Sequence, residues 1–146
     1  MKERFETFTV LINRIGRSIR RIKNQEMAEY GLRSAHVSCL YYLYSSARGL
    51  TATALCEKCE EDKATISRAL EFLEEKGYIN CEVRSSKRYK SSLTLTEQGK
   101  AIGAEICEKV NRVLDEVSDA LTEEERLSFY RSLFVISEKL EQFGKQ

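Results

Sequence analysis

The stretch from Asp62 to Ile79, DKATISRALEFLEEKGYI, decides how the chain reads. It has the form of a capped helix delivered into a strand, with Asp62 as N-cap and Gly77 placed to end the helix in a left-handed turn. Ile66, Ala69, Leu70 and Leu73 fall at i, i+3, i+4 and i+7, which makes one apolar stripe facing a core. The opposite side is centred on Ala64 and Arg68, flanked by Thr65, Ser67 and Glu71, with Lys63 in the opening turn. A small residue ringed by hydrogen-bonding groups lets another surface approach closely.

Length and charge narrow what that surface can be. The 146 residues suffice for one ordinary domain with its own core. A formal charge of +1 hides segregation: residues 1–50 carry nine Lys/Arg against four acids, and residues 101–146 carry six against ten. No apolar run approaches the roughly 20 residues that span a bilayer, and no basic-apolar-small cleavage pattern opens the chain. The expected location is cytoplasmic, without membrane contact. Five cysteines, an odd number at low density, fit a reducing compartment.

Outward from the opening stretch, the pattern is mostly helical, and the chain contains no proline to break it. A first helix is predicted from about Phe5 to Glu29, with Phe5, Phe8, Ile12, Ile15, Ile19 and Ile22 spaced by threes and fours, a rod of roughly 40 Å. Helices follow at about Ser34–Ser46 and, after a Thr51 N-cap, Ala52–Cys59. Beyond the opening stretch, Tyr78–Arg84 and Ser91–Leu95 read as two strands around the basic tip SSKRYK. A fifth helix carries Ile102, Ile106, Val110, Val113 and Val117 on one side. The sixth opens with Thr122 and Glu125 as a capping box, its stripe being Phe129, Leu133, Ile136, Leu140 and Phe143.

Two short helices joined by a tight turn, then a hairpin, all flanked by long helices, make a winged helix-turn-helix. The expected fold is mainly α with a small β-hairpin, one domain over residues 1–146. Its DNA-binding lobe spans 51–95, with the helix-turn-helix at about 52–75, and helices in 1–30 and 100–146 serve dimerisation. In such a unit the second helix of the pair enters the major groove N-terminus first. The residues assigned to double-stranded DNA are Thr53, Lys63, Ala64, Thr65, Ser67 and Arg68, with Arg84, Lys87, Arg88 and Lys90 of the hairpin. Those four bases against Glu82 leave +3 on one short loop, suited to phosphate or to the narrow minor groove.

LTATALCEKCEEDKATISRALEFLEEKGYINCE followed by LTLTEQGKAI resembles the MarR family of bacterial transcription regulators (multiple antibiotic resistance regulator type). The resemblance includes GLRSAHVSCLYYLY upstream and the Leu95-Thr96-x-x-Gly99 signature. It implies a homodimer with interlocked terminal helices on a pseudo-palindromic operator, released when a small ligand or oxidant is sensed. The wing departs from the family: Lys87 and Tyr89 stand where an Asp and an Arg are usual, which leaves Arg88 or a neighbour to enter the minor groove.

The outer helices point to a dimer on their own. The sixth carries Leu127, Tyr130 and Phe134 as a second stripe beside the first, and a helix apolar on two faces needs either a large core or a partner. Phe5, Phe8, Ile12, Phe129, Leu133, Ile136 and Leu140 are the dimerisation residues expected. A basic stripe of Arg14, Arg17 and Arg21 suits ion pairs or a ligand pocket; Arg17, His36 and Tyr41 are the residues proposed for a small-molecule effector.

His36 with Cys39, and Cys56 with Cys59, give H-x2-C and C-x2-C spacings that make weak zinc candidates, but free cysteines acting as small core hydrophobes are the preferred reading, with no metal and no cofactor assigned. A lone histidine without an evident nucleophile, and the lack of a glycine-rich phosphate loop, argue against an enzyme. The reading is a ligand- or stress-responsive repressor. The alternatives are a winged-helix module or antirepressor that docks protein, for which the net −3 on residues 51–62 speaks, and a thiol- or zinc-sensing regulator of the same fold.

Overall fold

The computed structural model describes residues 2–81 and 91–145. The chain divides into two compact units, 1–107 and 108–146. Seven α-helices and two strands are described. The first unit opens on a continuous helical rod: α1 (Lys2–Phe5), a π-helical stretch Glu6–Val10, and α2 (Leu11–Glu26). The rod ends three residues before the predicted Glu29. Met27 (φ −117°) and Leu32 turn into the core, each 1 % exposed, and the chain crosses between them in a 3-10 turn, Ala28–Tyr30. Burial of two large apolar side chains outweighs the helical propensity of the intervening AEY.

Helix α3 (Ser34–Tyr44) stops two residues short of the predicted Ser46. The Ser45 hydroxyl donates back to the Tyr41 carbonyl and the Ser46 hydroxyl forward to that of Gly49, the local competition by which serine closes helices. Helix α4 (Ala52–Cys59) starts where predicted, with Ala54 N donating to Thr51 Oγ1 at 3.1 Å. Helix α5 (Lys63–Glu75) follows the three residues Glu60, Glu61 and Asp62, and its Ile66, Ala69, Leu70 and Leu73 are all buried, as the stripe required. Gly77 adopts φ 77°, the left-handed closure expected of it.

Strands β1 (Ile79–Cys81) and β2 (Leu93–Leu95) pair antiparallel, Ile79 opposite Leu95 and Cys81 opposite Leu93. The first strand starts one residue after the predicted Tyr78 and the second two after the predicted Ser91, and Arg84, the expected end of the first, lies outside the described residues. Leu50 adds a bridge to Leu93, so the chain just before α4 forms a third line of pairing. The Thr96 hydroxyl donates to Gly77 O at 2.6 Å and accepts from Gly99 N at 3.0 Å, joining the end of α5 to the start of α6 (Glu97–Ser118). Met27, Leu32, Leu40, Leu55, Ile66, Leu73 and Ile106 close the core of this unit.

The second unit contains the rest of α6, a turn, and α7 (Glu123–Gly144). Its start is a reciprocal capping box: Glu125 N donates to Thr122 Oγ1 at 3.1 Å, and Thr122 N to Glu125 Oε2 at 2.9 Å. No residue of α7 is buried in the single chain, although its apolar side chains are large: Phe134 is 66 % and Phe143 73 % exposed.

Candidate nucleic-acid interface

The α4–α5 pair is built by backbone chemistry at its turn. Glu60 closes α4 in the left-handed region at φ 54°, the single non-glycine residue among those described with positive φ. Asp62 Oδ1 accepts from Thr65 N at 2.7 Å. The bonds from the Thr65 backbone and then its side chain, with the nearby charge of Arg68, hold the Asp62 carboxyl below its ordinary value. Asp62 is therefore an anionic cap at the positive end of a 13-residue helix.

From that cap the outward face presents Lys63, Ala64, Ser67 and Arg68, all exposed, on one end of α5. Thr65 is half-buried and its hydroxyl is engaged with Asp62, so it serves the cap first. Thr53 is exposed on the second residue of α4. Arg84, Lys87, Arg88 and Lys90 lie outside the described residues. Five of the six expected helix-pair residues thus form an exposed set, and one is tied into the scaffold.

The neighbouring helix α3 carries contacts that periodicity did not reveal. His36 stacks on Phe72 of α5, ring centroids 4.4 Å apart, and its Nδ1 accepts from Arg33 N at 2.9 Å. Burial, and secondarily the Arg33 charge, push the His36 pKa down. Tyr41 packs edge-on against Tyr42, whose ring lies 5.6 Å from the Lys58 ammonium. Arg17 lines an open groove of about 670 Å³ with Val10, Ile12, Asn13, Gly16 and Arg20. Neither His36 nor Tyr41 belongs to that lining, so the structure does not gather the three residues expected at an effector pocket.

The zinc spacings do not assemble either: among the described residues no three His, Cys, Asp or Glu side chains come together as metal ligands. His36 is committed to Phe72 and the Arg33 amide. Cys39 is instead buried on α3, and its neighbour Cys59, the last residue of α4, helps push the Cys39 thiol pKa up while its own is lowered. Sequence reasoning also missed Lys23, whose Nζ donates to Ser38 Oγ at 3.0 Å, and Tyr30, whose hydroxyl donates to Glu105 at 2.8 Å. Both link residues too far apart in the chain for any local pattern to show.

Residues 35–114, more than half of the chain, match the winged helix DNA-binding domain family. The chain belongs to that family. Solved structures similar to this winged-helix chain carry the same architecture. A MarR family regulator from Neisseria meningitidis, NMB1585, superposes with a TM-score of 0.81 at 23 % identity, covering 96 % of this chain and 95 % of that one. A MarR family transcriptional regulator from Silicibacter pomeroyi gives 0.73 at 28 % identity, covering 86 % and 84 %. MepR of S. aureus, solved in complex with DNA, gives 0.81 at 20 % identity, covering 90 % and 97 %. Among curated proteins nothing matches the sequence. The winged-helix fold is of MarR type, as the resemblance implied, and the family places the chain among DNA-binding transcription regulators. Among the described residues no helix is long and apolar enough to cross a membrane.

Proposed function

We propose that this winged-helix chain is a repressor that binds a pseudo-palindromic operator as a homodimer and responds to a small ligand or to stress. The observation that carries the DNA reading is the exposed set Lys63, Ala64, Ser67 and Arg68 at the capped end of α5. Ala64 permits close approach to the major groove, Arg68 can pair with guanine, and Lys63 and Ser67 suit phosphate. The basic hairpin residues Arg84, Lys87, Arg88 and Lys90 would hold the adjacent backbone or minor groove. Residues 51–95 form the DNA-binding lobe in this reading.

Dimerisation rests on the uncovered apolar surface. Phe5, Phe8 and Ile12 are exposed on the N-terminal rod, and Phe129, Leu133 and Leu140 on α7. Large apolar side chains left exposed along each of these elements suit a protein contact. Twofold symmetry would set the two α5 helices on half-sites about 34 Å apart. In MepR, a protein of the same fold, the complex with DNA has been solved. The test is a mobility-shift titration of the chain's own promoter duplex against competitor DNA. Sequence-selective retention supports the proposal; a protein that shifts no duplex and captures a protein partner instead makes it a docking module.

A further inference from the structure

His36 is the only histidine of the chain, and both faces of its chemistry are in use. Its Nδ1 accepts from Arg33 N at 2.9 Å, closing the first turn of α3, and its ring stacks on Phe72 of α5 with centroids 4.4 Å apart and planes inclined by 27°. An imidazole nitrogen that accepts an N–H bond carries no proton, so the stacked ring is the neutral form with its hydrogen on Nε2. Phe72 is half-buried. On the helical wheel it falls on the flank of α5, between the buried stripe of Ile66, Ala69, Leu70 and Leu73 and the exposed Arg68 one turn earlier. The stripe holds α5 against the core, and the stack adds a lateral contact that resists rotation of the helix about its own axis.

We propose that His36 is a positioning residue for Arg68: neutral, it stacks on Phe72 and sets the angle at which Arg68 meets the operator, and protonated, it releases that flank of α5. The proposal rests on the operator-binding reading above, and it assigns base selectivity in part to a side chain that acts through Phe72 rather than by touching DNA.

Protonation acts through geometry. A proton on Nδ1 turns an acceptor into a donor that faces the Arg33 amide, so the ring must turn away, and the stack is lost with it. The surrounding charges also oppose a cation. Arg33 stands at the N-cap of the same helix, and from the end of α5 the Lys76 ammonium already lies 5.5 Å from the centroid of the Phe72 ring. An imidazolium over a benzene ring is attractive in itself, but here it competes with Lys76 for the same ring. From α2, Asn24 bonds the Ser34 amide and the Lys23 ammonium is held by Ser38. From α4, Lys58 lies over Tyr42, further along α3, and β2 (Leu-Thr-Leu) has no titratable side chain. Among the described residues no carboxylate is bonded to His36. Burial and then Arg33 lower its pKa, in the same sense as the geometry.

A single histidine can be followed by proton NMR through its ring C–H signal without further assignment. That signal, and its nuclear Overhauser contact with the Phe72 ring, are recorded from about pH 7.5 to 5. Over the same range operator and scrambled duplex are titrated at fixed salt with wild type, His36→Phe and His36→Gln, each checked for folding by circular dichroism. In wild type the ratio of operator to scrambled affinity should fall about fivefold, at the low end of couplings between sites, along the same curve as the His36 signal and with loss of the ring contact. His36→Phe keeps a ring on Phe72 that takes no proton, and should hold the high ratio at every pH. His36→Gln keeps an acceptor for the Arg33 amide but no ring, and should give the low ratio throughout. A residue that only stabilised the fold would weaken both duplexes alike and leave the ratio unmoved. A ratio that stays constant while His36 titrates overturns the proposal, as does a His36 signal that does not move down to about pH 5. A His36→Gln ratio equal to that of neutral wild type overturns it too; if that variant does not fold, the wild-type curve and His36→Phe decide. If wild type retains no duplex selectively at neutral pH, the operator reading fails, while the ring contact still judges whether the stack is proton-linked.

Discussion

Gly99 lies so close against the Tyr78 carbonyl that no Cβ could stand between them. The obstacle is backbone, and the same carbonyl accepts from Thr96 N at 3.0 Å, so it cannot move aside without loosening the junction of strand and helix. Gly99→Ala should cost about 1–3 kcal/mol, the range of overpacking. Gly16 has open space where its side chain would be. Gly16→Ala should stabilise by up to about 1 kcal/mol through helix propensity alone. Urea denaturation of both variants reads the difference, and equal effects would show that the Gly99 contact yields.

His36 gives a sign for pH dependence. Its pKa lies below the ordinary 6.5, through burial first and Arg33 second, so the fold prefers the neutral ring. Above the unfolded-state value this group leaves stability independent of pH. As pH falls through 6.5 toward the lower folded value, the unfolded chain takes up the proton first and stability drops. His36→Gln should flatten that part of the stability profile, measured by denaturant midpoint between about pH 7.5 and 5. A profile as steep in the variant as in wild type assigns the slope to other groups.

Reading and holding of DNA should separate by residue. Arg68→Ala should lower the ratio of operator to scrambled-duplex affinity, since a two-bond contact to guanine discriminates by about 1–3 kcal/mol. Lys87→Ala, in the basic stretch SSKRYK, should weaken both duplexes alike and reduce the salt slope by roughly 0.9 per phosphate contact. Titrations of both duplexes at several salt concentrations decide; an unchanged ratio for Arg68→Ala removes it from base readout.

Leu133 and Leu140 are 39 % and 54 % exposed on α7. Changing both to Asp should convert a dimer at micromolar concentration into a monomer by sedimentation and reduce operator affinity in parallel. A wild-type chain that sediments as a monomer while binding the operator would falsify the twofold arrangement.

Local chemistry was legible in the sequence because its determinants sit within a few residues of one another. Thr51, Asp62 and Thr122 all cap helices as their positions indicate, the buried face of α5 follows the apolar spacing, and Gly77 ends it in the left-handed region. What the sequence hid is what tertiary packing decides. The first helix ends early because Met27 and Leu32 are both drawn inward, and no local signal in ETFTV announces a π-helical stretch. The C-x2-C spacing drew attention to Cys56 with Cys59, whereas the strongest influence on the Cys59 thiol comes from Cys39, across two helices. His36 looked like a ligand by its spacing from Cys39, and is instead a stacking partner of Phe72. Arg17 was expected at a ligand pocket with His36 and Tyr41, whereas the groove beside it is lined by residues of the N-terminal rod.

The Thr96 hydroxyl, donating to Gly77 and accepting from Gly99, works as a hinge pin. Because one oxygen is shared between the closing turn of α5 and the opening turn of α6, neither can pivot while the other stays still unless a bond is lost. The hydroxyl thus ties the end of α5 to the start of α6 without using the hairpin. A valine at that position would keep the shape and remove both hydroxyl bonds, leaving the bond from the residue 96 amide to Tyr78 O to tie the junction.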